Sequence, residues 1–108
     1  MTANTIFLSH TKVDKPLIEP IAQKLSKVFD QHNIFYDSWS IQPGDGIIDK
    51  VNEALSQCKF FFLFASKNSL SSNMVKLEWQ NTLIKATRGE VKIIPVKLDD
   101  CLMPSVLL

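Results

Sequence analysis

The apolar run Phe60-Phe61-Phe62-Leu63-Phe64-Ala65 limits what this chain can fold into more than any other feature. It has strand length and no polar alternation, so both of its faces must be covered, as in a parallel sheet. Residues 66–72, polar except for Leu70, follow, with serines at 69, 71 and 72 suited to capping a helix. The next segment, Asn73-Met74-Val75-Lys76-Leu77-Glu78-Trp79, is helix-patterned. A carboxylate in the early turns of a helix rooted at the carboxyl end of a strand lies where open α/β sheets bind ligands. Glu78 holds that position, and the reading places it partly exposed on the rim of a cleft.

The rest of the chain alternates in the same way. Ile6-Phe7-Leu8 begins a first strand. The helix after it has Asp14 as its cap, Pro16 in its first turn, and Leu17, Ile18, Ile21, Ala22, Leu25, Val28 and Phe29 on one stripe. Ile34-Phe35-Tyr36 is a short second strand, and residues 37–45 form a loop punctuated by Pro43-Gly44-Asp45-Gly46. Asp45 is placed to cap a helix whose inward stripe is Ile47, Ile48, Val51, Ala54 and Leu55. A helix over about 72–87 ends near Gly89, and 91–98 is a fourth strand. Strict β-α alternation with right-handed crossovers predicts an α/β flavodoxin-like sheet of order 2-1-3-4 with helices on both faces; a fifth strand is expected beyond residue 108. The switch point lies between strands one and three, so loops 9–14, 66–72 and 37–46 are expected to meet at the site. Lys12, Asp14, Lys67 and Asn68 are expected at its mouth.

With 108 residues this is one domain with room for a core. A net charge of +1 gives no support to bulk attraction for nucleic acid or anionic membrane. Cys58 and Cys101 are too few for a disulfide framework and form no metal-ligand spacing with histidine, so they read as structural thiols in a reducing, cytoplasmic setting. No signal peptide or membrane-length apolar stretch is visible, and the apolar end Val106-Leu107-Leu108 suggests that a longer protein continues past it. The chain has no G-x-G-x-x-G, no P-loop and no G-x-S-x-G elbow, which argues against dinucleotide-fingerprint binding, P-loop chemistry and a hydrolase triad. Ser9-His10 and Ala65-Ser66 stand where a phosphorylated receiver needs acids.

Four boxes in order carry a resemblance. Ile6-Phe7-Leu8-Ser9-His10 is similar to the first signature box of TIR (Toll/interleukin-receptor) domains. Phe35-Tyr36-Asp37 with Ile41-Gln42-Pro43-Gly44-Asp45-Gly46-Ile47 resembles their second box and BB loop. Ser71-Ser72 followed by Glu78 resembles the catalytic-helix motif of TIR domains that hydrolyse NAD⁺. The fourth strand, with Asp99, Asp100 and Pro104 after it, resembles that of the family. The chain departs from it at one place: Met74 stands four before Glu78, where the family usually has Trp, and gives a softer wall than an aromatic ring.

The resemblance implies a bacterial-type NAD⁺ glycohydrolase forming ADP-ribose or a cyclic form of it, with NAD⁺ as substrate and no further cofactor. Glu78 would carry the chemistry, and Ser9, His10, Lys12, Asp37, Trp39, Ser72 and Met74 would contact substrate. Ile41, Pro43, Gly44, Asp45 and Gly46 would form an interaction loop through which TIR domains self-associate. The resemblance further implies an effector of anti-phage defence, activated by assembly and fused to or associated with a sensor. The alternative is a non-catalytic module that only binds other TIR domains.

Overall fold

The computed structural model describes residues 5–104. The expected fifth strand lies outside them. Four parallel strands form one sheet in the order β2-β1-β3-β4: β1 (Ile6–Ser9), β2 (Ile34–Phe35), β3 (Phe60–Ala65) and β4 (Lys92–Lys97). The connecting helices are α1 (Lys15–Phe29), α2 (Asp37–Ser40), α3 (Ile47–Gln57), α4 (Lys67–Leu70) and α5 (Asn73–Thr87). The flavodoxin-like order read from the sequence is the order of the sheet. No helix among the described residues is long and apolar enough to cross a membrane.

Parallel pairing in register decides which side chains share a face. Phe7 sits opposite both Phe35 and Phe61, so three rings stack across three strands, with centroids 5.0 and 5.4 Å apart. This ladder floors the cluster covered by α3 and α5, which contribute Val51, Ala54, Leu55, Val75 and Trp79. Ile6, Leu8, Ile34 and Phe64 point to the other face, against Ile18 and Ala22 of α1. Trp79 packs inward with Val75, Leu83 and Ala86.

Several local expectations are corrected. Asp14 precedes α1 without capping it; its buried carboxylate accepts hydrogen bonds from Thr11 (2.9 Å) and Ser66 (2.5 Å), and so ties the turn after β1 to the turn after β3. Residues 37–40 are helical rather than loop, because the Tyr36 carbonyl accepts from the backbone of Trp39 and Ser40. Asp45 does not cap α3. Gly46 occupies the cap, and the Asp45 carboxylate closes its own turn by accepting from the Gln42 N–H. Ile47 and Ile48 are exposed, as are Leu17, Val28 and Phe29 of the expected α1 stripe. Phe60, the first residue of β3, is exposed too. The 66–72 segment contains α4, which Ser66 caps through a reciprocal pair of bonds with Ser69.

Candidate active site

Residues alternate along β1, so Phe7 and Ser9 face the same side of the sheet as α5. On α5 the buried residues are Val75, Glu78, Trp79 and Thr82, a stripe at i, i+3, i+4 and i+7 that includes the carboxylate. Glu78 is therefore 8% exposed, not the partly exposed rim residue expected. The Ser9 hydroxyl donates to Glu78 Oε1 at 2.7 Å across 69 residues of sequence. Burial pushes the Glu78 pKa up to about 7; the Ser9 hydrogen bond and the charge of His10 pull against it, while Asp37 adds to it.

Glu78 lies where two small clefts meet. One, about 120 Å³, is walled by Phe7, Leu8, His10, Phe35, Asp37, Ile41 and Ile47. The other, also about 120 Å³, runs between α3 and α5 and is mostly apolar, with Ile48, Leu55 and Leu77 along it and Asn52 and Asn81 at its sides. Val51, Met74 and Glu78 line both. Met74 is 42% exposed, a rim residue one turn before Glu78.

The charged side of the site is built on Asp37. Burial disfavours its ionised form, but His10 and Lys15 outweigh it and hold the carboxyl well below the usual carboxylate range. Lys15 Nζ is 2.6 Å from Asp37 Oδ1 and lies 4.9 Å from the Tyr36 ring centroid, so α1 anchors the start of α2. Tyr36 is itself buried, donates to Glu19, and has its pKa pushed up to about 12, first by burial and then by that carboxylate.

Ser9, His10, Asp37 and Met74 thus gather around Glu78. Three other expected contact residues lie elsewhere. Trp39 packs edge-on against Tyr36 at 5.1 Å and lines a separate cleft of about 290 Å³ with His32, Phe35, Lys50 and Glu53. Ser72 spends its hydroxyl capping α5, accepting from the Val75 N–H. Lys12 is exposed in the turn after β1 and does not line the Glu78 clefts. In the interaction loop Ile41 reaches the cleft, whereas Pro43, Gly44 and Gly46 are exposed and Asp45 is half-buried. Sequence reasoning missed Val51, which lines both clefts but reads only as core.

Comparison with known proteins places the chain in a family. The TIR-domain family model matches residues 6–107. The chain is 23% identical over 92 residues to the 2' cyclic ADP-D-ribose synthase AbTIR of Acinetobacter baumannii, covering 84% of this chain and 34% of that protein. It is 25% identical over 91 residues to the probable 2' cyclic ADP-D-ribose synthase TcpB of Brucella abortus, covering 83% and 36%. It therefore spans about a third of the length of these relatives. The TIR domain of the Toll-related receptor TRR-2 from Hydra magnipapillata superposes with a TM-score of 0.79 at 16% identity, covering 95% of this chain and 77% of that one. With the model running over nearly the whole sequence and the same parallel sheet beneath it, the chain belongs to the TIR-domain family.

Proposed function

We propose that this domain cleaves the bond between nicotinamide and ribose in NAD⁺, releasing nicotinamide and ADP-ribose in linear or cyclic form. The observation that carries the reading is the buried Glu78 carboxylate, oriented by Ser9 where two small clefts meet. Nicotinamide is cationic in NAD⁺ and leaves neutral, so its departure needs no general acid and one of the two carboxylates of an ordinary glycosidase is dispensable. What the reaction needs is negative charge where the ribose becomes cation-like, and a desolvated carboxylate supplies it at high strength. The two relatives named as cyclic ADP-D-ribose synthases support the same substrate class.

In this reading His10 and Asp37 flank the ribose and Met74 contacts the ring. TIR–TIR contacts through the 41–46 loop raise activity, and a fused or associated sensor triggers a cytoplasmic defence response. Incubation of concentrated protein with NAD⁺ and chromatography of the products tests it. Wild-type protein should release nicotinamide, and Glu78→Gln should lower the rate by at least about 100-fold. Undiminished turnover in the variant overturns the assignment.

A second reading, a non-catalytic interaction module, is favoured by one observation. Each cleft holds about 120 Å³, well below the roughly 300 Å³ from which ligand sites usually begin. Wild-type protein that neither binds nor cleaves NAD⁺ at any concentration selects this reading.

A further inference from the structure

Capture of the ribosyl cation requires a proton acceptor that the proposal above leaves unassigned. Water, or a hydroxyl of the dinucleotide itself, must lose a proton as it bonds to the ribose. Glu78 already serves the developing cation and accepts from Ser9.

His10 follows β1 directly, its side chain is 4% exposed, and it lines the same cleft as Glu78 and Asp37. Its Nδ1 lies 3.1 Å from the Leu8 carbonyl oxygen. A carbonyl only accepts, so Nδ1 carries a proton toward Leu8 and Nε2 is the ring nitrogen left to exchange one with the cleft. Among the described residues, Nε2 is the one buried side-chain nitrogen or oxygen without a hydrogen-bond partner. A histidine kept only for packing would normally have that atom satisfied. The ring is held against Tyr36, with centroids 5.2 Å apart. Asp37 Oδ1 stands 3.5 Å from Nε2, too long for a well-formed hydrogen bond but close enough for its charge to attract a proton passing to that nitrogen.

We propose that His10 Nε2 accepts the proton of the nucleophile that captures the ribosyl cation, with Asp37 stabilising the imidazolium. This rests on the NAD⁺ reading above. The carbon–nitrogen bond to nicotinamide breaks, and its electron pair leaves with the neutral base. The nucleophile's oxygen bonds to the same ribose carbon and its proton passes to Nε2, from which it returns to solvent. In hydrolysis the nucleophile is water; in cyclisation it is a hydroxyl of the substrate's other ribose, with the same proton count.

A nucleophile without a proton separates this role from a packing role. A pyridine such as 3-acetylpyridine attacks the same cation through its ring nitrogen and needs no acceptor. His10→Asn retains an N–H able to reach the Leu8 carbonyl but has no basic nitrogen. Its hydrolysis should fall by about 100-fold or more. Exchange of 3-acetylpyridine into NAD⁺ should fall far less, so that the exchange-to-hydrolysis ratio rises at least about tenfold. Asp37→Asn should move the ratio in the same direction by a smaller factor. Parallel losses of hydrolysis and exchange overturn the His10 role alone. Absence of both reactions in the wild-type chain sinks the NAD⁺ reading and this role with it. Nitrogen-15 spectra of the wild-type chain, recorded above the titration range of imidazole, give a check independent of turnover. His10 should be protonated on Nδ1 only, and an Nε2–H tautomer overturns the proposal.

Discussion

At the scale of single residues, Glu78 carries a stability cost that can be measured. Its folded pKa of about 7 lies above the ordinary 4.5, so the native state binds the extra proton between those values. Its favourable contribution is therefore complete below about pH 4.5 and lost as pH rises through about 7. The loss is up to about 3 kcal/mol. Glu78→Gln mimics the protonated form, so it should raise stability by about 1–3 kcal/mol at pH near 8 and change it little near pH 4.5, read from thermal unfolding. An equal effect at both pH values contradicts a buried, destabilised carboxylate. If the ionised form does the chemistry, kcat/KM in wild-type protein should climb across the same window. Met74 makes a second residue-scale case. Being 42% exposed, it should tolerate Met74→Ala at a cost below about 1 kcal/mol. Met74→Trp should raise kcat/KM several-fold, the worth of an aromatic over a thioether contact at about 1 kcal/mol. A large loss of stability in the alanine variant assigns Met74 to the core instead.

Among elements, the lock between the turn after β1 and α4 is the feature that composition conceals. Ser66 caps α4 and donates to the buried Asp14 carboxylate, so one hydroxyl serves two elements. Ser66→Ala removes the cap and leaves Asp14 with Thr11 as its remaining side-chain donor. The expected cost is about 1–3 kcal/mol in urea unfolding, and a change below about 0.5 kcal/mol contradicts the lock. Because Ser9 precedes that turn, the same variant should also loosen the Ser9–Glu78 bond and lower kcat.

For the whole molecule, the size of the clefts sets the prediction. A dinucleotide is larger than either 120 Å³ space, so binding requires it to span both clefts or to displace a wall such as that formed by Ile41 and Ile47. Those residues flank an exposed turn, and Ile47 and Ile48 are 59% and 56% exposed. If contact between copies stabilises the open arrangement, specific activity should rise faster than linearly with protein concentration, and Ile48→Asp should remove the steepness. Trp39 is not the residue to test, because it packs on Tyr36. A specific activity that stays constant while the protein remains monomeric excludes this coupling.

Element type, order and the parallel sheet were legible in the sequence because they depend on periodicity and on the unbroken apolar runs of β1 and β3, which are local properties. The meeting of the loops after β1 and β3 followed from that topology, and so did the gathering of Ser9, His10, Asp37 and Met74 about Glu78. The depth of Glu78 was not legible. Its place between Val75, Trp79 and Thr82 on the buried stripe was open to view, but a glutamate normally marks the solvated face. The hydroxyl of Ser9, brought in from β1, gives the buried carboxylate a hydrogen bond that the helix alone does not supply. The misassigned polar residues share one physical reason. Asp14 and Asp45 each had several backbone or side-chain donors within reach, and the choice among them depends on where the surrounding turns come to rest. The same holds for Nε2 of His10: the sequence places the imidazole at the end of a strand, and the fold alone leaves that nitrogen without a hydrogen-bond partner, 3.5 Å from Asp37.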